Sequence, residues 1–138
     1  MEEIMTNEKE LPSLFDAEPI EKAKAIYMSL YNKKARNIKV FVAKGKTEIT
    51  DFVVIATGTS STHVKSLAGE VEYQMELRKV KVDNFEGRDN GAWVVLDYSS
   101  VMVHVMSRES REFYDLEKLF DGAEELDLRP TEDKEENN

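Results

Sequence analysis

Apolar residues recur along this chain with two periods, and the switches between them lay out the elements. Ile20, Ala23, Tyr27, Leu30 and Tyr31 repeat at helical spacing over residues 20–34. Lys22, Lys24, Lys33 and Lys34 fall on the other side of that helix. Pro19 stands at its start, where a missing N–H leaves no bond unmade. Asn37 belongs to the turn that follows, and residues 38–43 (IKVFVA) read as a strand. Residues 51–56 (DFVVIA) form a second strand, so uniformly apolar that it belongs at the centre of a sheet.

Ser60 or Ser61 then caps a helix over residues 61–78, with Val64, Leu67, Ala68, Val71, Met75 and the stem of Arg78 on its inner face. Residues 80–85 make a weaker strand at an edge, flanked by Lys79 and carrying Lys81. After a polar loop at 87–91 come strands at 93–96 and 101–106, separated by Asp97-Tyr98-Ser99-Ser100, residue types that stabilise turns. The second of these is apolar on both faces except for His104, which predicts helical cover on both sides. A short helix ends the pattern, burying Phe113, Leu116 and Leu119 or Phe120. The order α-β-β-α-β-β-β-α predicts an α/β fold, a mixed five-stranded sheet with packed helices.

Charge divides the chain. Residues 1–18 carry six acids and one base, and residues 121–138 carry eight acids and two bases. With a total of −9, residues 19–120 are left at +2. This predicts one domain over 19–120, an acidic N-terminal extension over 1–18 and a disordered acidic tail over 121–138. The chain has no cysteine, which excludes disulfides, thiolate catalysis and Cys-based metal sites. There is no long apolar run and no basic-then-apolar leader, so the reading is cytoplasmic with no membrane contact.

Candidate chemistry is thin. The strand–Gly58–helix junction can present free N–H groups to an anion, yet no GxGxxG or phosphate-loop lysine accompanies it. A glycine placed where a side chain would clash explains it as well, and Thr59, Ser60 and His63 there form a secondary candidate contact with a protein. Ser60, His63 and Asp51 do not make a triad, because Asp51 starts a strand whose far end lies roughly 20 Å away. The two histidines, His63 and His104, lack metal-ligand spacing, and His104 reads as a satisfied core or subunit-contact residue. The carboxylate pairs Asp83/Glu86 and Glu109/Glu112 read as surface groups. Lys33, Lys34 and Arg36, with Lys39, Lys44 and Lys46, form a modest basic strip, a solvated helix end that touches phosphates at most incidentally. Trp93 and Asp97 are an even number of positions apart and leave the same sheet face. An aromatic beside an acid suits a basic protein partner, while a Trp closing the core edge with Asp97 holding the turn fits equally.

Residues 49–71 (ITDFVVIATGTSSTHVKSLAGEV), Glu86-Gly87, residues 93–106 (WVVLDYSSVMVHVM) and residues 109–120 (ESREFYDLEKLF), together with Lys33-Lys34-Ala35, resemble the Iojap/RsfS family of ribosomal silencing factors. The resemblance spans residues 20–120. It implies a nucleotidyltransferase-like fold without catalytic carboxylates, consistent with the absence of D-x-D after Gly58-Thr59-Ser60, and hence no enzyme and no cofactor. It implies binding to ribosomal protein uL14 on the large (50S) subunit, steric block of subunit joining, repression of translation when nutrients are scarce, a homodimer when free, and in organelles a role in large-subunit assembly. The contact it implies maps to Trp93, Asp97 and Tyr98, with Ser99 and Ser100 in the turn where the family carries Gly-Asp. Phe120 stands where the family has Trp, and Asn37 where it has Asp. A small nucleotide-binding enzyme built on the Gly58 loop is the alternative reading, and a large-subunit assembly factor is another.

Overall fold

In the computed structural model, which describes residues 11–136, the elements are α1 (Pro19–Asn32), β1 (Arg36–Val42), β2 (Phe52–Gly58), α2 (Ser61–Leu77), β3 (Asn84–Glu86), β4 (Trp93–Asp97), β5 (Val101–Ser107), α3 (Arg108–Tyr114), a 3-10 turn (Leu116–Phe120), β6 (Glu125–Leu126) and α4 (Thr131–Glu136). The strands form one mixed sheet in the order β3-β4-β5-β2-β1-β6. Only β2 and β5 run parallel, with Phe52 opposite Val101 and Gly58 opposite Ser107 at the two ends. The chain reaches β5 from β2 by way of α2 and the β3–β4 hairpin. Among the described residues no helix is long and apolar enough to cross a membrane.

Both long helices lie on the same face. Ala23, Ile26, Tyr27 and Leu30 of α1, and Val64, Leu67, Ala68, Val71 and Met75 of α2, pack on Val54, Ala56, Val94, Leu96, Val101, Val103 and Val105. Each helix starts as its sequence dictates. Pro19 occupies the first turn of α1. Ser60 accepts the His63 N–H at 3.0 Å and caps α2. Arg78, just past α2, donates to the Pro12 carbonyl at 3.0 Å, and its own carbonyl accepts the Leu14 N–H at 2.8 Å, tying the N-terminal segment down.

The expectation of helices on both sides does not hold. On the second face, Phe41, Val53, Ile55 and Met106 are covered by Phe120 and the 3-10 turn, with Phe41 and Phe120 stacked at 5.5 Å. Trp93, Val95, Met102 and His104 on that face remain partly exposed. A strand can be apolar on both faces although only one is covered within its own chain.

Three further expectations are corrected. The sheet has six strands rather than five, because Glu125–Leu126 adds to the β1 edge, Val40 opposite Leu126. That strand arises from the acidic stretch after Phe120, and Glu125 pairs with Lys39 at 3.7 Å. Residues 80–83 lie outside the sheet, and β3 is confined to Asn84–Glu86. The last helix is two pieces, because Asp115 adopts a left-handed conformation at φ 47° and resets the period. Phe120 is buried, but Phe113 is 80% and Leu119 68% exposed.

Gly58 sits where β2 meets α2. A Cβ there would lie 2.7 Å from Val64 Cγ2 and 2.8 Å from the Val64 backbone nitrogen. The backbone neighbour cannot rotate away. Gly58→Ala is therefore expected to destabilise the fold by about 1–3 kcal/mol, the range for overpacking, read as a lower midpoint in urea unfolding with an unchanged slope.

A half-covered aromatic face

Trp93, Val95 and Asp97 leave β4 on the face that α1 and α2 do not cover, opposite Met106, His104 and Met102 of β5. The Trp93 indole N–H donates to His104 Nδ1 at 3.0 Å, with the rings 6.0 Å apart. An indole nitrogen can only donate, so this bond fixes the imidazole as the neutral tautomer with its proton on Nε2. Burial of the ring acts in the same direction and pushes the His104 pKa down to about 4. Tyr114 packs against Trp93 at 4.8 Å, and Phe113 meets Tyr114 edge-on at 4.9 Å.

The two outer aromatics arrive there through local chemistry. Ser107 ends β5 and caps α3 by accepting the Ser110 N–H at 3.1 Å. Asp115 then breaks the helix, so Phe113 and Tyr114 are held at its end rather than turned under it. Tyr114 is 55% exposed. It lies between Trp93 and the exposed Phe113 in a cluster of large aromatic groups, a surface of the kind that other proteins cover. Sequence reading placed Phe113 in the core and did not single out Tyr114, because a left-handed Asp leaves no mark in the apolar period.

The structure separates the expected turn residues. Asp97 is partly exposed on the Trp93 face, and its Oδ1 accepts the Ser99 N–H at 2.8 Å. It therefore holds the turn and also presents an acid on the same sheet face as the aromatic cluster, at the other end of β4. Ser99 is exposed at φ 69° and donates its hydroxyl to Asp83. Tyr98 is corrected: its side chain packs with the core on the opposite face and is 4% exposed. An odd offset from Trp93 requires this. Burial, then the carboxylates of Glu72 and Glu76, raise its pKa above the usual tyrosine value. Neither Tyr98 Oη nor Ser100 Oγ finds a hydrogen-bond partner among the described residues.

Thr59, Ser60 and His63 lie elsewhere. His63 Nδ1 accepts the Thr59 N–H at 2.9 Å, and its Nε2 donates to the Lys33 carbonyl at 2.9 Å. These side chains brace the end of α1 against the β2–α2 junction, so their polar atoms are engaged within the fold. Thr59 and Ser60 border a cleft of about 1260 Å³ at the C-terminal ends of β2 and β5. Its charged lining is Arg36, Arg108 and Arg111 against Glu109, Glu112, Asp115 and Glu117, a balance that does not favour a polyphosphate. Arg111, 6% exposed, is already bonded to Glu117, to Thr57 Oγ1 and to the Asn37 carbonyl. Among the described residues no group of His, Asp or Glu is arranged to hold a metal ion.

Comparison with known proteins bears on this geometry. A family model described as "Ribosomal silencing factor during starvation" (RsfS) matches residues 16–138. The ribosomal silencing factor RsfS of Haemophilus influenzae is 39% identical over 89 residues, covering 63% of this chain and 85% of that protein. Mitochondrial assembly of ribosomal large subunit protein 1 of mouse is 33% identical over 94 residues, 66% of this chain and 41% of that protein. A crystal structure of a Chromobacterium violaceum protein superposes with a TM-score of 0.74 at 31% identity, covering 80% of this chain and 91% of that one.

The depressed His104 pKa has a consequence for stability. The folded chain holds this imidazole neutral down to about pH 4, while an unfolded histidine takes up its proton near pH 6.5. Between those values the unfolded state binds more protons, so the contribution is complete above pH ~6.5 and is lost as pH falls toward ~4. His104→Asn keeps an acceptor for the indole and cannot titrate. Its unfolding midpoint is expected to fall less over that window than that of the unsubstituted protein, measured by urea titration at each pH.

Proposed function

The chain belongs to the RsfS family of ribosomal silencing factors, and on that premise we propose that it binds the large ribosomal subunit through the Trp93 face, with ribosomal protein uL14 as its partner there. The observation that carries this reading is Trp93 itself. It is the only tryptophan in the chain, held in place by His104 and Tyr114, on a sheet face that the described residues leave partly uncovered. An aromatic whose orientation is set before binding loses little freedom on docking, which is what an anchor residue requires.

The mechanism is occupancy. A rigid sheet seated on uL14 excludes whatever would approach the same surface, and subunit joining is the event it blocks. No bond is made or broken, and no cofactor is called for. Asp97 presents its free carboxylate oxygen toward a basic residue of the partner. The protein works where ribosomes are, and it is a homodimer when unbound. A role in large-subunit assembly is the second reading. It is favoured by the mouse relative, which carries assembly in its name, and the same surface serves both roles.

Trp93→Ala is expected to weaken binding to purified large subunits about thirtyfold or more, the effect of losing an anchor of ~2 kcal/mol, with far-ultraviolet circular dichroism unchanged. Unchanged co-sedimentation of a folded variant would remove Trp93 from the contact. Asp97→Asn retains the Ser99 cap and deletes only the charge. Its affinity for isolated uL14 is expected to fall several-fold at low salt and to approach that of the unsubstituted protein at high salt, as a screened charge pair requires.

A further inference from the structure

Three cations stand together at the corner where α1 gives way to β1, and the Trp93 face makes no use of them. Lys33, Lys34 and Arg36 are all exposed. Among the described ion pairs none engages them, although Lys24, Lys39, Arg88, Arg108, Arg111, Lys118 and Arg129 each have a carboxylate within 4.0 Å. Among the described residues, then, none of these three cations, set within four positions of a chain whose net charge is −9, has a carboxylate within that distance, although Arg36 also borders the cleft lined by Glu109, Glu112, Asp115 and Glu117.

The corner is also held still. At one end His63 Nε2 donates to the Lys33 carbonyl at 2.9 Å. At the other, the buried Arg111 guanidinium donates to the Asn37 carbonyl at 2.7 Å. Between them the Ala35 N–H closes on the Leu30 carbonyl at 3.0 Å, and Lys34 and Asn37 take left-handed conformations at φ 68° and 52°. Two side chains from other elements therefore fix the backbone that carries the cations. The backbone from which they project is set before any ligand arrives.

We infer that this corner is a contact for the phosphodiester backbone of RNA, made when the chain is seated on the large subunit. The chemistry favours RNA over a protein. Protein contacts of measurable strength are built on desolvated aromatic or aliphatic anchors, and no large exposed apolar residue falls between 32 and 37. The exposed residues beside the cations, Asn32 and Asn37, are polar. Phosphates need only fixed cations, and three of them supply a sequence-independent contact. The setting on the ribosome rests on the reading proposed above, whereas the RNA contact can be measured without it.

The test is the triple variant Lys33→Gln, Lys34→Gln, Arg36→Gln, whose changed side chains are all exposed and whose corner stays clamped by His63 and Arg111. Affinity for purified large subunits is measured from about 50 to about 200 mM KCl, the range over which counterion release is read. The slope of log affinity against log salt is expected to become shallower by about 2, from three lost phosphate contacts at roughly 0.7–0.9 each. Affinity for isolated uL14 is expected to stay unchanged. In parallel, the unsubstituted full chain is expected to bind a labelled RNA hairpin at low salt by fluorescence anisotropy, and the variant to lose that signal. An unaltered salt slope in the folded variant would overturn the inference. So would an unsubstituted chain that leaves the hairpin unbound, or a variant that loses uL14 binding equally, which would place the corner in a protein contact. If the unsubstituted chain bound the hairpin through these residues but failed to bind large subunits, the proposed function would fall and the RNA contact would stand.

Discussion

One-sided helical cover is the constraint from which the rest follows. The parallel pairing of β2 with β5 forces the chain across the sheet, and both long helices end on the same face. β5 is apolar on both faces, so its second face has to be dealt with some other way. Over β1 and β2 the chain covers it with Phe120 and the 3-10 turn. Over β4 and β5 the described residues leave it partly open. What remains there is an apolar strip partly open to water, stiffened by a tryptophan bonded to a histidine. Such a strip is unfavourable in an isolated chain and favourable once covered.

The Trp93–His104 pair shows how the open face is kept ordered. A histidine on a central strand has polar atoms to satisfy, and a tryptophan at a sheet margin has one donor to place. Each meets the other's need at 3.0 Å. The bond uses only Nδ1, leaves the imidazole neutral and sets the plane of the indole. Tyr114 then braces the indole from the helix side. The aromatic group is rigid without being buried, which is the combination a docking surface asks for and a core does not.

Much of this was legible. The inner faces of α1 and α2, a serine cap at Ser60 or Ser61 and the central place of β2 follow from period and residue type, and those elements formed as read, with Ser60 the cap. The shared face of Trp93 and Asp97 follows from parity, and the same parity places Tyr98 on the other side. What period could not reveal was long-range. The pairing of Glu125–Leu126 with β1 needs a strand edge that only the folded sheet supplies. The left-handed Asp115 that exposes Phe113 and Tyr114 has no signature, since aspartate is a poor guess for a position glycine usually fills. Nothing in the apolar period marks Arg111 for burial, yet it is buried because Glu117 and groups from β1 and β2 converge on it.

The aromatic face and the basic corner obey different physics, and together they account for a charge distribution that otherwise looks contradictory. Contact through Trp93 depends on area removed from water and changes little with salt. Contact through Lys33, Lys34 and Arg36 depends on fixed charge and is screened within about 8–10 Å at cellular ionic strength. The acidic ends of the chain hold it off RNA at a distance, since a chain at −9 is repelled by phosphate. At cellular ionic strength the corner's three charges count once the apolar face has brought them within a screening length, whereas at low salt they also act on free RNA. In the proposed complex, affinity comes from the protein contact, and the RNA contact adds to it only in the correct orientation. A uniformly basic domain would bind RNA in many orientations; an acidic chain with one rigid basic corner contributes that energy in a single pose, and so gains specificity from the same charges.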